Sequence, residues 1–190
     1  MYIPPAYKRL KRAPQVMLPK DIGIVIAYTG LNKQSKCFDA GTGSGWLAVS
    51  LARVAKEVTS YEIRDEFMKL AQKNARNEGL KNLRIMKGDP IKRIVGKDFD
   101  LVTLDMPDSD KAVPNAYKAL KNGGYIFGYL PHIEQMKKFI RALGKQRFGE
   151  INAYELIARD MITRKEGTRP STKGVWHTAY LVFARKPEVQ

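Results

Sequence analysis

Cysteine is nearly absent from the 190-residue chain: Cys37 stands alone. A single thiol excludes a disulfide framework and a cysteine-based metal cluster. Placed just inside an apolar strand, it reads as a small buried side chain rather than a nucleophile. Long apolar runs are missing too; none approaches the roughly 18 residues of a membrane span. The N-terminal MYIPPAYKRLKRAPQ is basic but lacks an apolar h-region, so it does not read as a signal peptide. A cytoplasmic protein without membrane contact is expected. Internal repeats and low-complexity tracts are also absent.

Acidic charge is the other shortage. Asp and Glu number 19 against 34 Lys and Arg, a formal net charge of +15. A lysine-rich solvated surface would give the same excess. A polyanion is the expected partner, RNA first, because phosphate neutralisation supplies affinity to a basic protein without sequence specificity.

What the chain has in abundance is alternation. KCFDA, VTSYEI, LRIMKGD, FDLVTLDMP and YIFGYLP read as strands. Between them WLAVSLARVAKE, RDEFMKLAQKNARNEG, VPNAYKALKNGG and HIEQMKKFIRALG carry apolar residues at helical spacing. Strand–helix alternation calls for a parallel sheet with helices on both faces. Two long strands close the chain, INAYELIARDMITR and VWHTAYLVFARK, joined by a polar, basic loop. Their connection is too short for a helical crossover, so they are expected to form an antiparallel hairpin at one edge.

The stretch FDAGTGSGWLAV places Gly41, Gly43 and Gly45 after the first strand. Glycine there lets the backbone approach a ligand. A dinucleotide turn needs another glycine three residues after the second; that position is Trp46, too large for close helix–strand packing. Asp39 precedes the turn. A carboxylate repels a pyrophosphate but attracts an ammonium, so this turn points to S-adenosylmethionine. Glu62 ends the second strand, where a carboxylate reaches ribose hydroxyls. Asp89 ends the third, within reach of an adenine amino group. Candidate cofactor residues are therefore Asp39, Gly41, Thr42, Gly43, Ser44, Gly45, Trp46, Leu47, Glu62, Ile63, Phe67, Gly88, Asp89 and Asp105. The expected fold is a Rossmann-like class I methyltransferase: a mostly parallel seven-stranded sheet, an antiparallel C-terminal hairpin strand, and helices on both faces. Residues 1–18 form a basic N-terminal segment and residues 19–190 the methyltransferase domain.

Asp105 ends the fourth strand in LVTLDMPD, beside the expected methyl group, and is the candidate catalytic residue. Enzymes that alkylate exocyclic base amines usually carry a stacking aromatic just after this position. Here Asp105 is followed by Met106, Pro107 and Asp108. A ring nitrogen, whose lone pair is already nucleophilic, is the better acceptor. An aspartate can orient the base and balance the charge that develops. Arg164, Lys165, Arg169 and Lys173 of the basic loop, with Trp176 and His177, are candidate RNA contacts. Trp176, His177 and Tyr129 are candidates to line a base pocket, although Trp176 and Tyr129 read equally well as core residues.

The segments KRAPQVMLPKD, DAGTGSG, SYEIRDEF, GYLPHIEQM and HTAYLVFARK together resemble the tRNA adenine-N1 methyltransferases of the TrmI type, particularly archaeal members. The resemblance runs from about Lys11 to near the end. It implies cofactor binding by Gly41 to Val49, Glu62 and Asp89, and catalysis by Asp105. It further implies a homotetramer and T-loop adenosines of tRNA as target. Against that resemblance, the sequence is expected to lack the β-rich N-terminal domain that family members carry. Two other classes stand beside this reading. One is a small-molecule (corrin-type) or protein methyltransferase of the same fold. The other is a non-catalytic RNA-holding subunit, against which the retained acids argue.

Overall fold

In the computed structural model, which describes residues 2–13 and 15–188, the sheet is built from residues that alternate between two apolar faces. Its strands are β1 (Lys36–Ala40), β2 (Glu57–Glu62), β3 (Leu83–Lys87), β4 (Phe99–Leu104), β5 (Leu120–Leu130), β6 (Gly149–Glu155) and β9 (Tyr180–Arg185). Strands β7 (Met161–Arg164) and β8 (Gly167–Pro170) form a separate two-stranded sheet. The main order is β3-β2-β1-β4-β5-β9-β6, parallel except for β9, which pairs antiparallel with both neighbours. This is the seven-stranded plan expected from the alternation of elements. Met1, Pro14, Val189 and Gln190 lie outside the described residues, so two positions of the N-terminal segment fall there.

Alternation along the strands feeds two cores. Leu101, Phe127 and Leu181 point to one side, where they meet Ile22, Val25, Leu47 and Leu51. Val102, Ile126 and Val182 point to the other, against Val113, Ala116, Phe139 and Leu143. The first face is covered by α2 (Pro19–Thr29), α3 (Trp46–Ala52) and α4 (Asp65–Asn77), the second by α5 (Ser109–Ala119) and α6 (Ile133–Lys145). Cys37 lies wholly inside the first core, and burial pushes its thiol pKa upward, as suits an inert core residue.

Four differences from the sequence reading have physical causes. Helix α2 was not anticipated; its GIVIAY run looks strand-like, yet Pro19 starts a helix that ends on Gly30 in the left-handed region. Helix α5 ends at Ala119 and not at the glycines, because β5 takes over at Leu120 with an irregular register opposite Phe99. The stretch INAYELIARDMITR is not one strand: pairing with β9 ends at Glu155, and the next carbonyl, of Leu156, is captured by the Lys20 ammonium. The chain leaves the sheet there, makes the β7–β8 arm, and rejoins at Tyr180. The basic loop is thus an arm with its own hairpin, and VWHTA precedes β9 rather than belonging to it.

The short helix α1 (Pro5–Lys8) and the segment after it pack behind the glycine turn. Tyr7 bonds Ser50 at 2.8 Å and tilts against the Trp46 ring. Leu10 and Met17 join the first core. The wholly buried Asn74 is the tie: its amide donates to the Lys11 carbonyl (2.7 Å) and the Ser44 carbonyl (2.8 Å), and its oxygen accepts the Lys11 amide. Replacing Asn74 by Ala removes all three bonds and leaves the Ser44 carbonyl buried. The expected loss is about 2–3 kcal/mol, with faster tryptic cleavage at Lys8 to Arg12. Unchanged cleavage and stability would contradict the tie.

Candidate active site

The carboxyl ends of β1, β2, β3 and β4 converge on a cavity of about 520 Å³. The glycine turn forms its floor. Gly41 adopts φ 85, and a Cβ there would run into the Asp105 carbonyl oxygen. Only glycine lets β1 and β4 end this close together. The Asp105 amide donates to the Ala40 carbonyl at 2.9 Å, so the two strand ends are bonded as well as packed. Gly88 plays the same part against Tyr61, whose ring occupies the space a side chain would need.

Glu62 is buried at the end of β2. Its Oε2 accepts the Gly43 amide at 2.8 Å, and its Oε1 accepts the amides of Ile63 and Arg64 at 3.0 Å. The Arg64 Nε–H also reaches Oε1 at 3.3 Å, so these bonds fix the carboxylate and leave Oε2, with one donor, to accept from a diol. Asp89 uses Oδ1 to accept the Ile91 amide at 2.9 Å and so shapes the turn after β3. Asp105 borders the cavity from the end of β4, and no hydrogen bond reaches its carboxylate among the described residues. Its pKa is pushed up to about 8, first by desolvation and then by the charges of Asp39 and Glu62.

Asp39 occupies a different place from the one expected. It is buried below the glycine turn and does not border the cavity. Ser60 and Thr103 donate to its two oxygens, the latter at 2.6 Å, and Ser60 is in turn bonded to Thr42. Burial pushes its pKa up to about 6; the Ser60 and Thr103 bonds act against that rise and Glu62 adds to it. Asp39 is therefore held within the scaffold beneath the turn.

Of the other candidates, Gly41, Ile63 and Gly88 border the cavity beside Glu62, Asp89 and Asp105. Thr42, Gly43, Ser44, Gly45, Trp46 and Leu47 support it from behind, and Phe67 lies under the Arg64 guanidinium at 4.0 Å. Tyr129 borders the cavity, whereas Trp176 and His177 do not. Trp176 lies on the arm with the Arg159 guanidinium 5.0 Å over its ring. His177 bridges Glu155 (2.6 Å) and the carbonyl of Pro131 (2.9 Å), a cavity-rim residue. Arg164, Lys165, Arg169 and Lys173 are all exposed on the arm. Sequence reasoning missed Gln15, Ile91, Met106 and Gln135, which also line the cavity. Ile91, an apolar residue just past the strand-end acid, could have been found from that position; Gln15 carries no local signal.

The cavity fits a nucleoside carrying cations. Its volume suits a ligand of that size, its polar side chains include three carboxylates, and its walls add apolar Ile63, Ile91 and Met106. The Ser44 hydroxyl and the Trp46 indole N–H, buried beside the turn, have no hydrogen-bond partner among the described residues. S-adenosylmethionine supplies the matching set: a sulfonium, an ammonium, a diol and an adenine amine.

Known proteins agree with this geometry. The family described as the tRNA methyltransferase complex GCD14 subunit matches residues 7–168. The chain is similar to the tRNA (adenine(57)-N(1)/adenine(58)-N(1))-methyltransferase TrmI of Methanocaldococcus jannaschii, with 38% identity over 95% of this chain and 74% of that protein. The tRNA (m1A58) methyltransferase TrmI structure from Aquifex aeolicus superimposes with a TM-score of 0.90 at 31% identity, covering 99% of this chain and 78% of that one. A SAM-dependent O-methyltransferase structure from Thermotoga maritima gives 0.89 at 31% identity, covering 94% and 69%.

The raised pKa of Asp105 links stability to pH. The unfolded chain loses this proton near pH 4, while the native state keeps it to about pH 8. Between those values the native state binds more protons, so stability falls as pH rises through the window. Asp105→Asn abolishes this contribution. Its unfolding midpoint at pH 8 should exceed the parent's by about 3 °C or more, and the gain should shrink by pH 5. An equal or lower midpoint at pH 8 would contradict the crowding of these acids.

Proposed function

Because the chain belongs to the family of the tRNA methyltransferase complex GCD14 subunit, we propose that it transfers the methyl group of S-adenosylmethionine to N1 of an adenosine in the T loop of tRNA. The archaeal relative is named for adenines 57 and 58. The observation that carries the reading is Asp105, a carboxylate with no hydrogen bond of its own at the end of β4 in a cavity walled by acids. Family and relatives favour this reading over a corrin-type or protein acceptor.

When bound, the cofactor supplies an electrophilic methyl on a positively charged sulfur. Glu62 and Asp89 are placed to hold its ribose and adenine. Asp105 holds the acceptor. Near neutral pH its carboxyl keeps its proton in the free protein; a cation entering the cavity favours the carboxylate. The ionised Asp105 would accept a hydrogen bond from the exocyclic amine of adenine and so orient N1 for alkylation. As N1 gains positive charge, the same carboxylate stabilises it. Because N1 lies on the pairing edge, the base must leave its stack to enter the cavity, and the Tyr129 ring walls that space.

The exposed cations of the arm, Arg164, Lys165, Arg169 and Lys173, serve the phosphates of the same RNA. A homotetramer and a cytoplasmic setting belong to this proposal through the family resemblance.

Incubation with labelled S-adenosylmethionine and tRNA, followed by digestion to nucleosides, should yield N1-methyladenosine. At saturating cofactor, Asp105→Ala should lower the rate by roughly two orders of magnitude or more. Methylation at another atom, or of no RNA, would overturn the reading. Binding of tRNA should weaken steeply with salt, and neutralising the four arm cations should reduce the log–log slope by several units. A flat slope in the parent would refute the role of the charge.

A further inference from the structure

The wall of the cavity opposite the cofactor acids hides a second set of polar residues. Lys20 and Asp21 open α2, and their side chains are 8% and 0% exposed. The Lys20 ammonium donates to Asp21 Oδ1 (2.6 Å), to the Leu156 carbonyl (2.6 Å) and to Thr178 Oγ1 (2.9 Å). All three of its protons are thereby used. Asp21 Oδ2 accepts the Tyr129 hydroxyl at 3.2 Å.

The bonds form a chain from Tyr129 through Asp21 to Lys20 and on to Thr178. The Tyr129 hydrogen goes to one Asp21 oxygen and the Lys20 ammonium to the other. The Tyr129 hydrogen is thereby committed to Asp21, and burial with the neighbouring Asp21 charge pushes its pKa above the usual phenol range. What Tyr129 presents to the cavity is its aromatic face.

The same ammonium reaches the arm. Leu156 lies where the chain leaves the main sheet after Glu155, and Thr178 lies where it is about to return at Tyr180. Lys20 holds both legs of the arm, and it does so through contacts 136 and 158 residues apart in sequence. An apolar pin would hold this wall with less desolvation. An ammonium adds direction, since acceptors from separate segments fix its position.

We propose that Lys20 is a positioning residue for the acceptor adenosine. It sets the Tyr129 ring through Asp21, and it holds the root of the arm in the same frame through Leu156 and Thr178. One RNA is thus received by the arm and the cavity as a single rigid surface. The inference rests on the methyl-transfer reading above.

The test is methylation of tRNA at saturating cofactor by Lys20→Met, Thr178→Val and Tyr129→Leu, with the first two also combined with the third. Lys20→Met should lower kcat about tenfold or more, since small misplacement of a reacting group is costly. Thr178→Val should lower it several-fold, and the cofactor dissociation constant should stay within about twofold in both. Because Lys20 acts through Tyr129, each double variant should be no slower than Tyr129→Leu alone. Multiplying losses would assign Lys20 to the general scaffold and overturn the proposal, as would unchanged kcat in Thr178→Val. Should Lys20→Met fail to fold, Thr178→Val leaves the charge pair intact and carries the same cycle. A parent enzyme that forms no N1-methyladenosine would overturn the functional reading instead.

Discussion

The backbone contact between Gly41 and Asp105 is the constraint on which the rest of the site depends. It brings the ends of β1 and β4 to touching distance, and no other residue at 41 would allow it. Once those ends meet, Asp39 below the turn, Glu62 beside it and Asp105 above it share one small volume. Glu62 then bonds the Gly43 amide and holds the turn in the shape that permits the contact. Backbone sterics and carboxylate placement are one device.

That device opposes stability. Asp39 and Asp105 are both held above the ordinary carboxylate range, chiefly by burial, with like charges adding to the rise. A protein selected for stability alone would put neutral residues here. The crowding is useful when a cation arrives, because the cation relieves the repulsion and gains from every acid at once. Strain of this kind concentrates at functional sites. The polar cluster around Lys20 differs: its ammonium has three acceptors, and it stiffens the wall to which Tyr129 belongs.

Much of this was legible in the sequence, for identifiable reasons. Strand–helix alternation and the glycine turn revealed the sheet, and acids at successive strand ends revealed the cavity. The direction of the Asp39 side chain was not legible, because sequence position does not say which way a strand-end side chain turns; Ser60 and Thr103, 21 and 64 residues away, decide that. Helix α2 escaped because its apolar run has no polar alternation. The arm escaped for the opposite reason: its strands are polar and exposed, and they exist only because they pair with each other. Gln15 reaches the cavity from a segment with no periodic pattern. Long-range packing, not local preference, placed Asp39 and Gln15.

The account turns on Asp105 being protonated in the free protein near neutral pH and ionised by a bound cation. Calorimetric titration with S-adenosylmethionine near pH 7, in buffers of different ionisation enthalpy, counts the protons exchanged on binding. The account predicts release of close to one proton by the parent, less with S-adenosylhomocysteine, whose sulfur is uncharged, and none by Asp105→Asn. Equal proton release by parent and variant, or none by either, would contradict it.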